Sequence, residues 1–293
     1  MCYHKSLVVE YEKLMAHYSA SFNSILEGLG LVKERYAILM SRDEKQIPYS
    51  KEEIKEIKDL QKIINSFTDT HYKRYHENGF DFLPTPIVTT GAPEEFKFMN
   101  WGLVPFYMSD KAKAMALRTS TLNCISEEMY DKPSFRDAAK NAQRCLIPVT
   151  GFYEWKWLDE KGKTKIPYYV TFKEQPITSA AGLYGRWKDK ATDQYYYSYT
   201  VLTTVANPMM EYVHNTKKRM PVFIPREYEK DWLNKDLSKD DVLALCQPFK
   251  SELMKANTIS KLITTKEAET NVEDVLTLHQ YEKVSTDEVL SEL

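Results

Sequence analysis

From Phe82 onward the chain runs in short apolar and aromatic stretches, each broken by Pro or Gly before it reaches the length of a helix. Ile87–Thr90, Phe96–Trp101, Arg144–Thr150, Pro167–Phe172, Ser179–Leu183, Tyr196–Thr204 and Met220–Ile224 are the strands this texture predicts. Helical signals are mostly grouped elsewhere. The pattern therefore argues for an α+β fold, a curved, barrel-like antiparallel core with peripheral helices. A chain of 293 residues can bury a sizeable core. Its 13% aromatic share suits a β-rich interior or a base-stacking surface, and does not choose between them.

Before Phe82, Ser6–Val9 reads as a short strand and Tyr11–Leu26 as an amphipathic stretch. Ser50-Lys-Glu-Glu53 is a capping-box pattern: the serine hydroxyl takes a free backbone N–H and Glu53 reaches back. Ile54, Ile57, Leu60 and Ile64 then recur at helical spacing, so 51–66 reads as a surface helix. Asn207-Pro208 is another helix start, an N-cap followed by Pro at the first helical position. The short helix 208–214 ends near His214, where the negative dipole end favours a protonated imidazole.

The net charge is −2, but residues 266–293 carry eight acids against two lysines, which leaves the rest of the chain at +4. A mildly basic body with an acidic tail permits phosphate contacts without proving them. The four cysteines are scattered with no Cys-x-x-Cys pair, which argues against a zinc site or a disulfide framework, and no cofactor is expected. The opening Met-Cys-Tyr-His-Lys lacks the apolar stretch of a signal peptide, and no apolar run approaches the ~20 residues of a membrane span. A reducing, cytoplasmic setting is the expectation.

Four polar residues sit where core packing gives no obvious account of them: Cys2, Asn123, Glu154 and His214. Loss of Met1 would turn Cys2 into a 1,2-aminothiol whose α-amine, with an ordinary pKa near ~7.7–8.0, is partly neutral at neutral pH. An aldehyde can condense with that amine, and the thiol can close a thiazolidine ring. A cysteine at position 2 by chance is the ordinary alternative. Glu154, just after an apolar strand and among Phe152, Tyr153, Trp155 and Trp157, is placed for a raised pKa and proton shuttling, or is a surface glutamate on an alternating strand. His214 alone reads as a helix-end histidine and Asn123 alone as a turn or cap residue. Trp101, Phe135-Arg136, Trp155 and Lys217-Lys-Arg219 could stack bases and hold phosphates, or be core aromatics and solvated charges.

In order along the chain stand Met-Cys, Trp101-Gly-Leu-Val-Pro105, Asn123 with Ser126-Glu127, Phe135-Arg136, Arg144-Cys-Leu-Ile-Pro148, Gly151-Phe-Tyr-Glu-Trp155, Ala181-Gly-Leu183, Leu202-Thr-Thr204 and Arg219-Met-Pro-Val222. This series resembles the SRAP (SOS response-associated peptidase) family of YedK-like abasic-site-processing proteins, over residues 1–10 and 80–265. The resemblance implies one SRAP domain over 1–265 with a helical insertion around 49–79, followed by an acidic tail over 266–293. It implies a DNA-damage enzyme in which Met1 is removed by an autoproteolytic, hydrolase activity. The exposed cysteine then cross-links, by lyase-type chemistry, to abasic sites in single-stranded DNA. Carried onto this chain, Cys2 is the nucleophile, Asn123 holds the N-terminus, Glu154 handles protons at the amine and His214 assists ring opening or closure. Trp101, Arg136 and Trp155 match positions of DNA contact, joined here by Lys217, Lys218 and Arg219. The implied protein is a cytoplasmic monomer, nucleoid-associated if bacterial, without membrane contact or metal.

The chain departs from the family pattern in three places. It opens Cys2-Tyr3-His4 where the family has Cys-Gly-Arg, and Asn123-Cys124-Ile125 stands for Asn-Ala-Arg, so an arginine expected on phosphate is missing. Extra residues separate His214 from Arg219, and Lys217 or Lys218 is the expected substitute for the lost charge. Two other readings compete with covalent capture: an N-terminal-nucleophile peptidase or amidase, and a non-catalytic single-strand DNA binder.

Overall fold

Thirteen strands and eight α-helices are present among the described residues, 2–42, 47–265, 268–282 and 284, of the computed structural model. The strands are β1 (His4–Glu10), β2 (His71–Asn78), β3 (Pro84–Thr89), β4 (Ala92–Trp101), β5 (Asn123–Ile125), β6 (Arg144–Val149), β7 (Gly151–Trp157), β8 (Lys165–Phe172), β9 (Thr178–Lys188), β10 (Tyr195–Val205), β11 (Arg219–Pro221), β12 (Phe223–Ile224) and β13 (Met254–Thr258). The helices are α1 (Tyr11–Tyr18), α2 (Asn23–Met40), α3 (Lys51–Asn65), α4 (Lys111–Leu117), α5 (Arg136–Lys140), α6 (Pro208–Val213), α7 (Glu229–Trp232) and α8 (Lys239–Ala244). None of them is long and apolar enough to cross a membrane.

Five strands close on one another in the order β4-β3-β6-β9-β10, with β10 returning to β4 through the one parallel pairing of the ring. Within this ring each strand is paired on both sides, which covers the edges an open sheet would present. Closure also dictates Gly182, which pairs with Cys145 on one side and Val201 on the other. A Cβ there would stand 2.5 Å from the Thr200 carbonyl oxygen, so no larger residue fits. The second sheet, β13-β8-β7-β1-β2, packs against the barrel. Barrel residues Ile87, Cys145 and Ile147 share one buried cluster with Phe152, Tyr168 and Val170 of the second sheet. Phe223 bridges the two, with ring centroids 5.3 Å from Phe152 and 4.7 Å from Phe172.

The barrel-like α+β architecture expected from the sequence is the one observed, and differences of detail have physical causes. Met220–Ile224 is two strands, not one. At Val222 the chain crosses from β10 to β9, its N–H bonding Leu202 and its carbonyl accepting from Ala181. Glu154 lies within β7 rather than after a strand. The helix begun by the Ser50–Glu53 capping box ends at Asn65, so the helical part of 49–79 stops there, and residues 71–78 form β2, paired along β1. The polar sequence of β2 gives no strand signal; Arg74 and Glu77 are buried there beside Lys5, whose Nζ lies 2.8 Å from Glu77. The acidic segment is not simply a tail. Asn271 accepts from the Tyr75 N–H at 2.8 Å, His279 N–H bonds Thr258, and Val275 is fully buried. Residues 266–267, 283 and 285–293 of that segment lie outside the described residues.

Candidate active site

Antiparallel pairing of β1 with β7, Lys5 opposite Phe152 and Ser6 opposite Gly151, sets the start of the chain beside Glu154 and Trp155. A Cβ at Gly151 would stand 2.6 Å from the ring of Tyr169, whose hydroxyl lies 2.8 Å from Ser6 Oγ on β1. On the other side of Glu154, α6 begins at the Asn207 cap, whose side chain accepts from Met210 N–H, and ends at His214. The end of α6 and the loop that follows are both pinned to β7. Asn215 accepts from Trp157 N–H at 3.0 Å and donates to the Trp157 carbonyl at 2.9 Å, while Lys156 Nζ donates to the Tyr212 carbonyl at 2.8 Å. The extra residues between His214 and Arg219 thus dock the histidine on the strand that carries Glu154.

The result is an open cavity of about 410 Å³ with Tyr3, His4, Glu154, Trp155, His214 and Lys217 in its wall. Glu154 is buried, its Oε1 has no hydrogen-bond partner among the described residues, and its Oε2 lies 3.8 Å from His214 Nε2. Burial lifts its carboxyl to about 7, as the residue's aromatic surroundings suggest. His214 Nδ1 donates to the Arg219 carbonyl at 2.9 Å, which leaves the Nε2 lone pair facing Glu154. Burial holds the imidazole down to about 4. The expected protonation by the helix dipole is overturned: desolvation outweighs the field at the end of a six-residue helix. Cys2 is enclosed rather than part of the cavity wall. Its thiol donates to the His4 carbonyl at 3.3 Å, and burial, reinforced by the Glu154 charge, pushes it up to about 12.

Asn123 also stands outside the cavity wall, on β5, paired with Val201 of β10. Both its amide oxygen and nitrogen are buried without a hydrogen-bond partner among the described residues, an arrangement that calls for one. Trp101 is not a surface platform. It is fully buried, with the ring of Tyr199 stacked beside it at 6.1 Å, and its indole N–H donates to the Leu122 carbonyl at 2.7 Å. It holds the residue next to Asn123 and cannot meet a base without opening the core. Arg136 is exposed at the first residue of α5 and lines no part of the cavity. Arg219 is committed to Glu127 through two bonds of 2.8 Å, and Lys218 lies 3.2 Å from Glu211. Lys217 and Trp155 are the members of the expected DNA-contact set that face the cavity. Lys165, its Nζ 4.4 Å over the Trp157 ring, was missed by the sequence reading, although its place opposite Trp157 follows once β7 and β8 are paired.

The model of the family described as SOS response associated peptidase (SRAP) matches residues 29–266. The chain belongs to the SRAP family. It is 35% identical to the abasic site processing protein YoqW of Bacillus subtilis over 180 residues, 61% of this chain and 75% of that one. Against the abasic site processing protein HMCES of Xenopus tropicalis it is 28% identical over 172 residues, 52% of this chain and 49% of that one. A crystal structure of a protein from Bacteroides thetaiotaomicron superimposes with a TM-score of 0.75 at 30% identity, covering 95% of this chain and 100% of that one. The SRAP match begins inside α2, so Cys2 and His4 lie outside it and reach the SRAP site through the pairing of β1 with β7.

Proposed function

We propose that the protein captures abasic sites in single-stranded DNA through Cys2, acting as a monomer once Met1 has been removed. The observation that carries this reading is the buried Glu154 carboxyl, set beside the start of the chain by the pairing of β1 with β7 and 3.8 Å from Nε2 of His214. The names of the relatives, abasic site processing proteins, support the same substrate.

In this reading water first cleaves the Met1–Cys2 bond, with Glu154 and His214 moving the protons, and free methionine leaves. The Cys2 amine adds to the aldehyde carbon of the abasic sugar. Glu154 takes a proton from the amine and returns one to the departing hydroxyl, so that one water leaves and an imine remains. The Cys2 sulfur then adds to the imine carbon and closes a thiazolidine. Asn123 offers a donor and an acceptor to the amine, and His214 acts on the former sugar oxygen during ring closure and reversal. Trp155 stacks a neighbouring base, while Lys217 and Lys165 face phosphate.

The test is the intact mass of the protein after incubation with an abasic single strand. The reading expects the sum of protein and DNA, less one methionine residue and one water. DNA cleavage without an adduct, or a complex that falls apart in denaturant, contradicts it.

A further inference from the structure

His4 occupies the cavity wall, yet no role above uses it. Its ring packs edge-on to Trp155 with centroids 4.7 Å apart, and its Nδ1 lies 2.8 Å from Nε2 of His76 on β2. His76 Nδ1 in turn lies 2.8 Å from the Thr270 hydroxyl, in the acidic segment folded back onto β2. His76 and Thr270 line a second, much smaller pocket of about 30 Å³ and take no part in the wall of the first. Three groups thus join two separate openings through two short hydrogen bonds.

Two ring nitrogens 2.8 Å apart share one hydrogen, so the tautomers of the two rings are coupled. If His4 Nδ1 carries it, His76 donates from Nδ1 to Thr270 and His4 Nε2 is left as an acceptor. If His76 Nε2 carries it, Thr270 donates to His76 and His4 Nε2 is a donor. Burial depresses both imidazoles, His4 to about 3 and His76 to about 4, so the pair is neutral near pH 7 and the net charge is the same in both arrangements. One arrangement converts to the other by passing a proton in at one end and out at the other.

We propose that His4, His76 and Thr270 form a proton relay for ring closure. The proposal rests on the aldehyde-capture reading above. As the Cys2 sulfur bonds the imine carbon, its proton passes to His4 Nε2, the His4 Nδ1 proton to His76 Nε2, and the His76 Nδ1 proton to Thr270 and solvent. The imine nitrogen takes its proton from the Glu154 carboxyl, which recovers one from solvent, so protons balance. His4 exchanges the proton; His76 and Thr270 act through it as positioning residues.

The experiment uses processed full-length protein and an abasic single strand, with two readouts. Borohydride traps the imine, and heat-stable adduct formed without reductant reports the closed ring. His76→Gln should leave imine trapping at the wild-type rate and slow ring closure on the order of 10²-fold. Thr270→Val should slow closure by a smaller factor, and added imidazole should restore part of the rate of His76→Ala. Wild-type closure in both His76→Gln and Thr270→Val overturns the relay, as does an equal loss of trapping and closure. Should His76→Gln fail to fold, Thr270→Val decides alone, because it removes one hydroxyl from a half-buried position. A wild-type protein that gives neither imine nor ring overturns the capture reading, and the relay with it.

Discussion

His214 presents an unprotonated nitrogen to Glu154: its Nδ1–H is spent on the Arg219 carbonyl at 2.9 Å, and Nε2 stands 3.8 Å from Glu154 Oε2. The two residues are pushed in opposite directions by the same burial, the carboxyl up to about 7 and the imidazolium down to about 4. Near neutral pH the carboxyl therefore titrates beside an imidazole that is already neutral. Groups so arranged can both accept and deliver protons near pH 7.

The pair predicts separable kinetic effects. Glu154→Gln should slow adduct formation on the order of 10²-fold and remove the rate's dependence on a group titrating near 7. His214→Ala should also change the rate at which the finished adduct decays. Single-turnover cross-linking and adduct decay from pH 5 to 8 measure both. If His214→Ala matches wild type in formation and decay, the histidine is structural.

A stability prediction follows from the same carboxyl. Glu154 is raised from an ordinary 4.5, so folding holds its proton more tightly than the unfolded chain does. Wild-type stability is fully supported below pH 4.5 and falls as pH rises through about 7. Glu154→Gln has no such loss. Relative to wild type it should gain up to about 3 kcal/mol between pH 4.5 and 8. Urea melts at pH 5 and pH 8 that show the same difference would contradict the shift.

Trp101 and Trp155 should part company. Trp155→Ala should weaken single-strand binding by about 1–3 kcal/mol with little change in stability. Trp101→Ala, which empties a fully buried site, should cost about 3–5 kcal/mol of stability. Fluorescence anisotropy and urea denaturation of the two variants make the comparison.

Lys217 and Arg219 should differ in their salt dependence. If Lys217 neutralises one phosphate, Lys217→Ala should lower the slope of log affinity against log salt by about 0.7, the single-strand value. Arg219, held by Glu127, should change that slope less. Equal slopes for the two variants would remove Lys217 from the interface.

The barrel was legible because its strands carry the apolar, aromatic runs that burial on a closed sheet demands. β2 was not, since His71-Tyr-Lys-Arg-Tyr-His-Glu-Asn78 buries Glu77 between Arg74 and Lys5, and Lys5 is a partner 72 residues away that no local pattern reveals. Glu154 and His214 could be singled out by their surroundings and by family resemblance. Their mutual approach needed the docking of α6 on β7, made by Asn215 and Lys156. Trp101 shows the opposite limit: a motif residue can serve a site from inside the core, and the motif alone does not say on which side of the surface it lies.

The central claim is that the bond to DNA is made by the N-terminal amine and thiol of Cys2. Tandem mass spectrometry of the protease-digested adduct tests it directly. The account predicts a sugar remnant on an N-terminal peptide that begins at Cys2, with nitrogen and sulfur both closed in one ring. A remnant on Lys165 or Lys217, or an adduct whose peptide still carries Met1, would contradict it.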